Sequence, residues 1–216
     1  MRILLVDDHA VVRRGLEMVL RLETDFDVVG DAANGEEAVA QAKRLRPDLI
    51  LMDLKMPRLD GASATREIKR ILPDTRVLML TGVDAANEIM DALEAGADGY
   101  VLKEVSPDEL IHAIRVIGTG EAYLEPVVTR QLLSRMRAGA HKHELSTPKG
   151  EQLTPREREV LQLMVTSATH KQMAERLSVS EETVRSHTKN VLAKLHQPNR
   201  TQAVLYALRE GLVELG

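Results

Sequence analysis

The chain has no cysteine among its 216 residues, which excludes disulfide bonds, thiolate zinc sites and thiol chemistry. It also has no apolar run approaching the roughly 20 residues that span a membrane. Its N-terminal apolar run meets two aspartates too soon to form the core of a signal peptide. With 44% hydrophobic and 29% charged residues, its composition is that of an ordinary globular protein. We therefore expect two domains in a cytoplasmic protein with no membrane contact.

A strongly basic domain is missing as well. Residues 1–120 hold 15 Lys and Arg against 22 Asp and Glu, a net charge of −7, whereas residues 151–216 hold 9 against 8, a net charge of +1. A near-neutral C-terminal domain offers little general attraction to nucleic acid. If it binds DNA, we expect a few placed cations, presented by a dimer, to make the contacts.

Polar side chains follow four short apolar runs along the first half of the chain. The first run precedes Asp7 and Asp8, and the other three lead to Asp53, Thr81 and Lys103. In an open parallel sheet, ligands bind outside the carboxyl ends of the strands, so residues at these ends converge. The sequence therefore predicts one cleft that contains three carboxylates, a hydroxyl and an ammonium group.

This set of groups suits phosphoryl transfer. Three neighbouring aspartates repel one another unless a cation joins them, and a hard divalent ion such as Mg²⁺ meets that need. Asp53 is central among the four positions and is the candidate nucleophile for an aspartyl phosphate. Lys103 would stabilise the transferring group by its charge, and Thr81 would donate its hydroxyl to a phosphoryl oxygen.

Strand and helix patterns alternate over residues 1–118. We expect strands near 2–7, 26–31, 48–53, 76–81 and 98–103, and helices near 10–22, 35–45, 62–71, 85–95 and 107–117. Five such units predict an α/β fold with a five-stranded, doubly wound parallel sheet.

Residues 119–152 are predicted to form a linker, with a helix at 126–136 followed by a polar tether. The tether contains His141, His143 and Glu144. These residues could be interpreted as a metal site, but their spacing in an unstructured segment enforces no geometry, and a solvated linker explains them as well.

Residues 153–216 are predicted to form a small all-α domain of four short helices. Thr154 begins a capping box, and Ser178-Val179-Ser180 separates the second helix from the third as a three-residue turn. Two helices joined by such a turn, with cations on the second one, are typical of a helix-turn-helix.

The third helix of this domain has two distinct faces on a helical wheel. One face holds Val184, Thr188, Val191 and Leu195, and the other holds Arg185, Ser186 and Lys189. An arginine can read guanine in the major groove, and a lysine can reach bases or phosphates; the alternative is a solvated polar face. Lys194 lies off this face and is expected to reach only the DNA backbone. His187, at the rim, is expected either to contact that backbone or to fill the edge of the core.

The chain resembles a known family over nearly its whole length. Residues 3–8 (ILLVDD), 49–61 (LILMDLKMPRLDG), 77–82 and 99–103 resemble the receiver domain of two-component response regulators. Residues 153–211 resemble the LuxR-type helix-turn-helix output domain. In this order the two sets of motifs are similar to the nitrate-response and nitrogen-fixation class of bacterial response regulators.

The resemblance implies the partners and the metal of the first domain. A sensor histidine kinase would phosphorylate Asp53, and the protein would dimerise on phosphorylation. Mg²⁺ would be held by Asp8, Asp53 and the backbone carbonyl of Lys55, with Asp7 assisting.

The resemblance also implies how the signal would reach DNA. Thr81 and Tyr100 would form a conformational switch, although Tyr100 could simply pack on an edge strand. The helix with Arg185, Ser186 and Lys189 would read double-stranded promoter DNA. The last helix would dimerise the output domain through Ala203, Val204, Ala207 and Leu208.

Two other functions remain open at this point. A phosphatase of the haloacid dehalogenase type also uses an aspartate nucleophile and Mg²⁺, but it needs two acids separated by one residue on its first strand, and Asp7 and Asp8 are adjacent. Alternatively, the output domain could bind protein instead of DNA, which a mobility-shift assay would reveal. We interpret the chain as a phosphorylation-activated DNA-binding regulator and not as an enzyme.

Overall fold

The computed structural model of the protein describes residues 1–82, 88–124, 153–166 and 168–213. The chain divides into two compact units, Met1–Thr129 and Arg130–Gly216. The predicted linker helix and the polar tether with its histidines lie outside the described residues. Within the described ranges, no helix is both long and apolar enough to cross a lipid bilayer.

Strands and helices alternate along the first unit. The strands are β1 (Arg2–Val6), β2 (Asp27–Ala32), β3 (Leu49–Asp53), β4 (Arg76–Thr81), β5 (Gly99–Leu102) and β6 (Tyr123–Leu124). The helices are α1 (Ala10–Leu20), α2 (Gly35–Leu45), α3 (Gly61–Ile71), α4 (Glu88–Glu94) and α5 (Pro107–Gly118). The strand order is β2-β1-β3-β4-β5-β6, and all neighbouring pairs are parallel. The predicted five-stranded parallel sheet is confirmed, with a sixth strand added at its edge.

The central strand β3 is buried along its whole length. Leu49 and Leu51 pack in the cluster that contains Leu20 of α1 and Ile114 of α5. Successive side chains of a strand point to opposite faces of the sheet, so Ile50 is buried on the other face. A strand covered on both faces needs apolar residues at every position, which explains why this strand appears in the sequence as a continuous apolar run.

The parallel register brings the carboxyl ends of the strands together at one end of the sheet. Asp53 is the last residue of β3, and Thr81, the last residue of β4, is the register partner of Leu102 at the end of β5. Asp7 and Lys103 directly follow β1 and β5. The side chains that the sequence predicts to share a cleft therefore lie together at the carboxyl ends of the strands.

The sixth strand extends the sheet beyond residue 118, where sequence reasoning ended the first domain. Tyr123 pairs with Gly99, and Leu124 pairs with Tyr100. A Cβ atom on Gly99 would lie 2.7 Å from the carbonyl oxygen of Tyr123, so a glycine is needed for this close approach. A strand of two residues carries too short a pattern to be recognised in a sequence.

The second unit contains the helices α6 (Pro155–Val165), α7 (His170–Leu177), α8 (Glu181–Lys194) and α9 (Arg200–Arg209). Its core includes Val160, Met173, Val184 and Val191, so α6, α7 and α8 pack on one another. The four predicted helices are confirmed.

The turn between α7 and α8 has the predicted helix-turn-helix form. Ser178 ends α7 in the left-handed conformation, with a φ of 53°. Two residues later Ser180 is the N-cap of α8, and its side-chain oxygen accepts a hydrogen bond from the N–H of Thr183 at 3.1 Å. A left-handed residue followed by an N-cap ends one helix and begins the next within three residues.

Candidate functional site

The side chain of Lys103 lies between two carboxylates at the carboxyl ends of the strands. Its Nζ atom is 2.7 Å from Oδ2 of Asp7 and 2.9 Å from Oδ2 of Asp53. Asp7 is 0% exposed and Asp53 is 3% exposed, so both charges are held away from water. The structure thus confirms that these three residues converge.

The charges in this cluster influence one another strongly. Burial raises the pKa of Asp53 above its ordinary value, the hydrogen bond from Lys103 opposes the rise, and repulsion from Asp7 adds to it. Burial alone would lower the pKa of Lys103, but its hydrogen bonds to Asp7 and Asp53 outweigh that effect and raise the pKa. One ammonium group is therefore shared by two buried carboxylates, and the cluster retains an excess of negative charge.

The cluster has the donor set of a metal site. Asp7, Asp8, His9 and Asp53 each present a ligand atom, and these atoms lie within 4.8 Å of one another. Carboxylate oxygens from Asp8 and Asp53 suit a hard cation such as Mg²⁺. Asp7 is already engaged, because its Oδ1 accepts the N–H of His9 at 2.8 Å and its Oδ2 contacts Lys103. This geometry fits the assisting role expected for Asp7.

Sequence reasoning missed His9, which directly follows the two acids. Its Nδ1 atom is 2.6 Å from Oδ1 of Asp8 and 3.2 Å from Oδ1 of Asp7. The signal was present in the sequence, because a histidine beside two aspartates is a candidate ligand or ion-pair partner.

Lys55 is exposed two residues after Asp53, and the role of its carbonyl in metal binding stays a prediction.

Thr81 and Tyr100 lie in neighbouring strands beside this cluster. Thr81 is buried, and its backbone carbonyl accepts the N–H of Lys103 at 2.7 Å. Tyr100 is fully buried in β5, which lies between β4 and β6 and is not an edge strand. The alternative of packing on an edge strand is therefore wrong, while the switch role of these two residues stays a prediction.

A glycine lets helix α3 begin against the backbone of Asp53. The N–H of Gly61 donates to the carbonyl of Leu54 at 2.9 Å. A Cβ atom at this position would collide with the carbonyl oxygen of Asp53. Gly61 therefore allows α3 to start directly against the Asp53 backbone, whereas a larger residue would push the start of the helix away from β3.

Helix α8 of the second unit separates into the two faces that the sequence predicts. Arg185, Ser186 and Lys189 are exposed, whereas Val184 and Val191 are buried in the core. His187 is half-buried at the boundary between the faces, and its two alternative roles stay predictions.

Lys194 lies off the exposed face of α8, as the sequence predicts, and its side chain pairs with another helix of the same unit. Its Nζ atom is 2.8 Å from Oε2 of Glu157, a residue of α6 that is only 4% exposed. Burial would raise the pKa of Glu157, but hydrogen bonds from Lys194 and Thr154 outweigh it and lower the pKa. Lys194 therefore ties α8 to α6, and its expected contact with the DNA backbone stays a prediction. A wheel of one helix cannot show this, because the partner is 37 residues away.

The predicted dimer surface on α9 also needs correction. Ala203 and Ala207 are 0% exposed and belong to the core of their own unit, so they cannot meet a second chain. Val204 and Leu208 are half-buried and keep part of their surface accessible. The small residues at the i and i+4 positions allow α9 to pack closely on its own domain.

The chain is similar to known proteins over both units. Residues 3–115 match the response regulator receiver domain, and residues 151–207 match the bacterial regulatory proteins of the luxR family. The response regulator protein VraR of Staphylococcus aureus is 40% identical over 213 residues, which cover 99% of each protein. The crystal structure of the response regulator ChrA, of a heme-sensing two-component system, has a TM-score of 0.54 and 34% identity and covers 98% of both chains. A structure of two RcsB dimers bound to two parallel DNAs has a TM-score of 0.57 and 25% identity and covers 97% of this chain and 98% of that one.

A parallel sheet with an acidic centre at its carboxyl edge, followed by a helix-turn-helix unit, defines a receiver joined to a DNA-binding output domain. The chain belongs to the response regulators with a luxR-type output domain and is a phosphorylation-dependent transcriptional regulator.

The ion pair between Lys194 and Glu157 generates a prediction about stability. Replacing Lys194 with methionine leaves the Glu157 carboxylate buried without its cation. We expect the free energy of unfolding of the second unit to fall by about 1–3 kcal/mol at neutral pH. Because the pKa of Glu157 is lowered on folding, the stabilisation is present above its ordinary value of 4.5 and is lost as the pH falls through the folded value.

Calorimetry of the full chain as a function of pH measures this effect. The difference between wild type and Lys194→Met should shrink below about pH 4.5, the ordinary pKa of glutamate. The exposed variant Lys189→Met serves as the matched control and should leave stability nearly unchanged. A Lys194→Met protein of unaltered stability that loses DNA affinity equally for all sequences would instead support the DNA-backbone role.

Proposed function

We propose that Asp53 accepts a phosphoryl group from a histidine kinase and that the phosphorylated chain binds promoter DNA as a dimer. The observation that carries the proposal is the pairing of the buried Asp53 with Lys103, 2.9 Å away, inside a cluster of further acids. This cluster provides a nucleophile, a cation for the transferring group and oxygen ligands for a metal.

The transfer needs little covalent chemistry from the protein. A carboxylate oxygen of Asp53 forms a bond to phosphorus while the bond from phosphorus to the donor's imidazole nitrogen breaks, and the electron pair leaves with the imidazole. Lys103 stabilises the negative charge on the phosphoryl oxygens. When bound by Asp8, Asp53 and the Lys55 carbonyl, with Asp7 assisting, Mg²⁺ supplies further neutralising charge.

Thr81 and Tyr100 are proposed to report phosphorylation to the rest of the chain. Thr81 can donate its hydroxyl to a phosphoryl oxygen, and the strand that carries Tyr100 pairs with the strand of Thr81. A phosphoryl group stabilises whichever conformation binds it better, so the population shifts by that difference in affinity.

Phosphorylation of Asp53 is tested with acetyl phosphate and Mg²⁺. Mass spectrometry should show one added phosphoryl group on the wild-type chain and none on Asp53→Asn, because an amide oxygen is a poor nucleophile. The variant Asp108→Asn alters an exposed aspartate of α5 and should be labelled like wild type. Equal labelling of Asp53→Asn and wild type would refute the assignment.

The exposed face of α1 is the proposed contact surface for the kinase. Val11, Met18 and Leu22 are 85%, 72% and 80% exposed. Their spacing places Val11 and Met18 on one side of α1, and Leu22 follows just past the end of the helix. Gly15 lies between them and faces open space. We call these four residues the α1 stripe. The stripe starts beside Asp8, so a helical partner packed along it lies next to the acidic cluster, where its phosphohistidine must arrive.

This surface gives a second test that separates the kinase from the chemistry. The double variant Met18→Gln/Leu22→Gln removes apolar contact area but leaves Asp53, Lys103 and their neighbours unchanged. With a histidine kinase that phosphorylates the wild-type chain, we expect transfer to slow by about tenfold or more, because two large apolar contacts are lost.

Labelling by acetyl phosphate provides the internal control for the α1 stripe. This small donor needs no docking surface, so its rate should be the same for the double variant and wild type. Arg44→Gln, on the exposed side of α2, should affect neither reaction. Equal losses with both donors would show that the substitutions damage the site itself and would contradict the docking role.

DNA binding is proposed to use the exposed face of α8 and a dimer that includes Val204 and Leu208 of α9. The RcsB structure shows dimers on DNA for a similar protein. Since the residues from 151 onward carry little net charge, affinity must come from a few placed contacts on each of two half-sites.

Arg185 is the residue best placed to read a base. If it contacts a guanine, Arg185→Ala should cost about 1–3 kcal/mol of binding free energy and relax the preference at one base position in each half-site. Binding to a panel of single-base operator variants measures this. Asn190→Ala, on the same helix, controls for helix propensity and should preserve the preference. An even loss over the whole panel would mean that Arg185 contacts phosphate.

A further inference from the structure

Arg13, in the first turn of α1, joins the ends of two strands. Its Nε donates to Oδ2 of Asp31 at 2.7 Å, and its Nη1 donates to the backbone carbonyl of Asp7 at 2.7 Å. Only 16% of its side chain is exposed, whereas Asp31 is 61% exposed. The guanidinium is therefore held against the protein by two fixed contacts, one of which reaches the acidic centre.

The carbonyl that Arg13 binds belongs to the peptide that leads directly into Asp8. The N–H of Asp7 is held by the carbonyl of Ala32 at 3.2 Å, and the Asp7 carboxylate is held by His9 and Lys103. The hydrogen bond from Arg13 fixes the orientation of the next peptide plane. That plane determines the direction in which the Asp8 side chain leaves the backbone.

The geometry points to Arg13 as a positioning residue that sets the Asp8 carboxylate against Asp53 for the metal-assisted phosphoryl transfer. The inference rests on the proposed function, because it concerns the metal ligands of that reaction. The side chain of Arg13 binds Asp31 and the Asp7 carbonyl, so it acts on Asp8 through the Asp7–Asp8 peptide. Residues that orient metal ligands in this way commonly contribute one to two orders of magnitude to metal affinity.

Charge and geometry predict opposite effects for this residue. Removing a cation near a metal site should strengthen Mg²⁺ binding by electrostatics alone. Releasing the Asp7–Asp8 peptide should weaken it, because Asp8 no longer points at Asp53. The sign of the change therefore separates a positional role from a purely electrostatic one.

The experiment is a titration of the full chain with Mg²⁺ by isothermal calorimetry, for wild type and Arg13→Met. We expect Arg13→Met to weaken Mg²⁺ binding by about tenfold or more. At saturating Mg²⁺ its labelling by acetyl phosphate should stay slower than that of wild type, because Asp8 remains misplaced. Affinity equal to or above that of wild type would overturn the inference.

The double variant Arg13→Met/Asp31→Ala removes one charge of each sign and keeps the net charge of wild type. If Arg13 acts by position, this double variant should bind Mg²⁺ as weakly as Arg13→Met. If Arg13 acts by charge, affinity should return to the wild-type value, which would contradict the proposal. Arg13→Lys keeps the charge but cannot span both contacts, so it should restore affinity only in part.

Arg14→Met is the matched control for these variants. Arg14 is the neighbouring arginine on α1, its side chain is 81% exposed, and it pairs with Glu17. Its replacement should leave Mg²⁺ affinity within about twofold of wild type, as expected for an exposed ion pair. A wild-type chain that binds no Mg²⁺ and takes up no phosphoryl group would refute the proposed function; normal wild-type binding with an unaffected Arg13→Met would refute the role of Arg13 alone.

Discussion

The ammonium group of Lys103 lies between the carboxylates of Asp7 and Asp53, and the first unit depends on this contact. Removing a carboxylate from water costs several kcal/mol, so two buried acids are tolerated only when a cation is held within hydrogen-bond distance of both. That distance requires the ends of β1, β3 and β5 to lie at one level. The parallel register provides this alignment, so the apolar strands that set the register also place the three charged groups at their ends.

The features that the sequence predicts are those that follow from a local pattern repeated along the chain. An apolar run that ends in a polar residue marks both a buried strand and its carboxyl end, so Asp7, Asp53, Thr81 and Lys103 could be assigned to one cleft. Contacts between distant residues left no such pattern. The pairing of Lys194 with Glu157 and the burial of Ala203 depend on how separate helices pack, and a two-residue strand such as β6 is too short to be periodic.

The pairing of Lys194 with Glu157 affects how the second unit can bind DNA. Of the three cations on α8, Lys194 is held by α6, whereas Arg185 and Lys189 lie on the exposed face. Few phosphate contacts give low non-specific affinity and a weak dependence on salt. If the chain binds as the proposed dimer, selectivity arises from base contacts and from the spacing of two half-sites, and dimerisation then has a larger share of the binding energy than in a basic domain.

The two sides of the acidic centre differ in how firmly they are held. On the β1 side, the backbone and carboxylate of Asp7 are held by Ala32, Arg13, His9 and Lys103. On the opposite side, Lys103 follows a strand of four residues, and its backbone N–H is bound to the carbonyl of Thr81. A phosphoryl group on Asp53 adds negative charge and competes with Asp7 for the ammonium group of Lys103. Because Asp7 has several hydrogen-bond partners, we expect any displacement to fall on Lys103, Thr81 and the strands that carry them. The proposed switch would therefore act on the side of Lys103 and Thr81, while Asp7 would keep its hydrogen bonds to Ala32, Arg13 and His9.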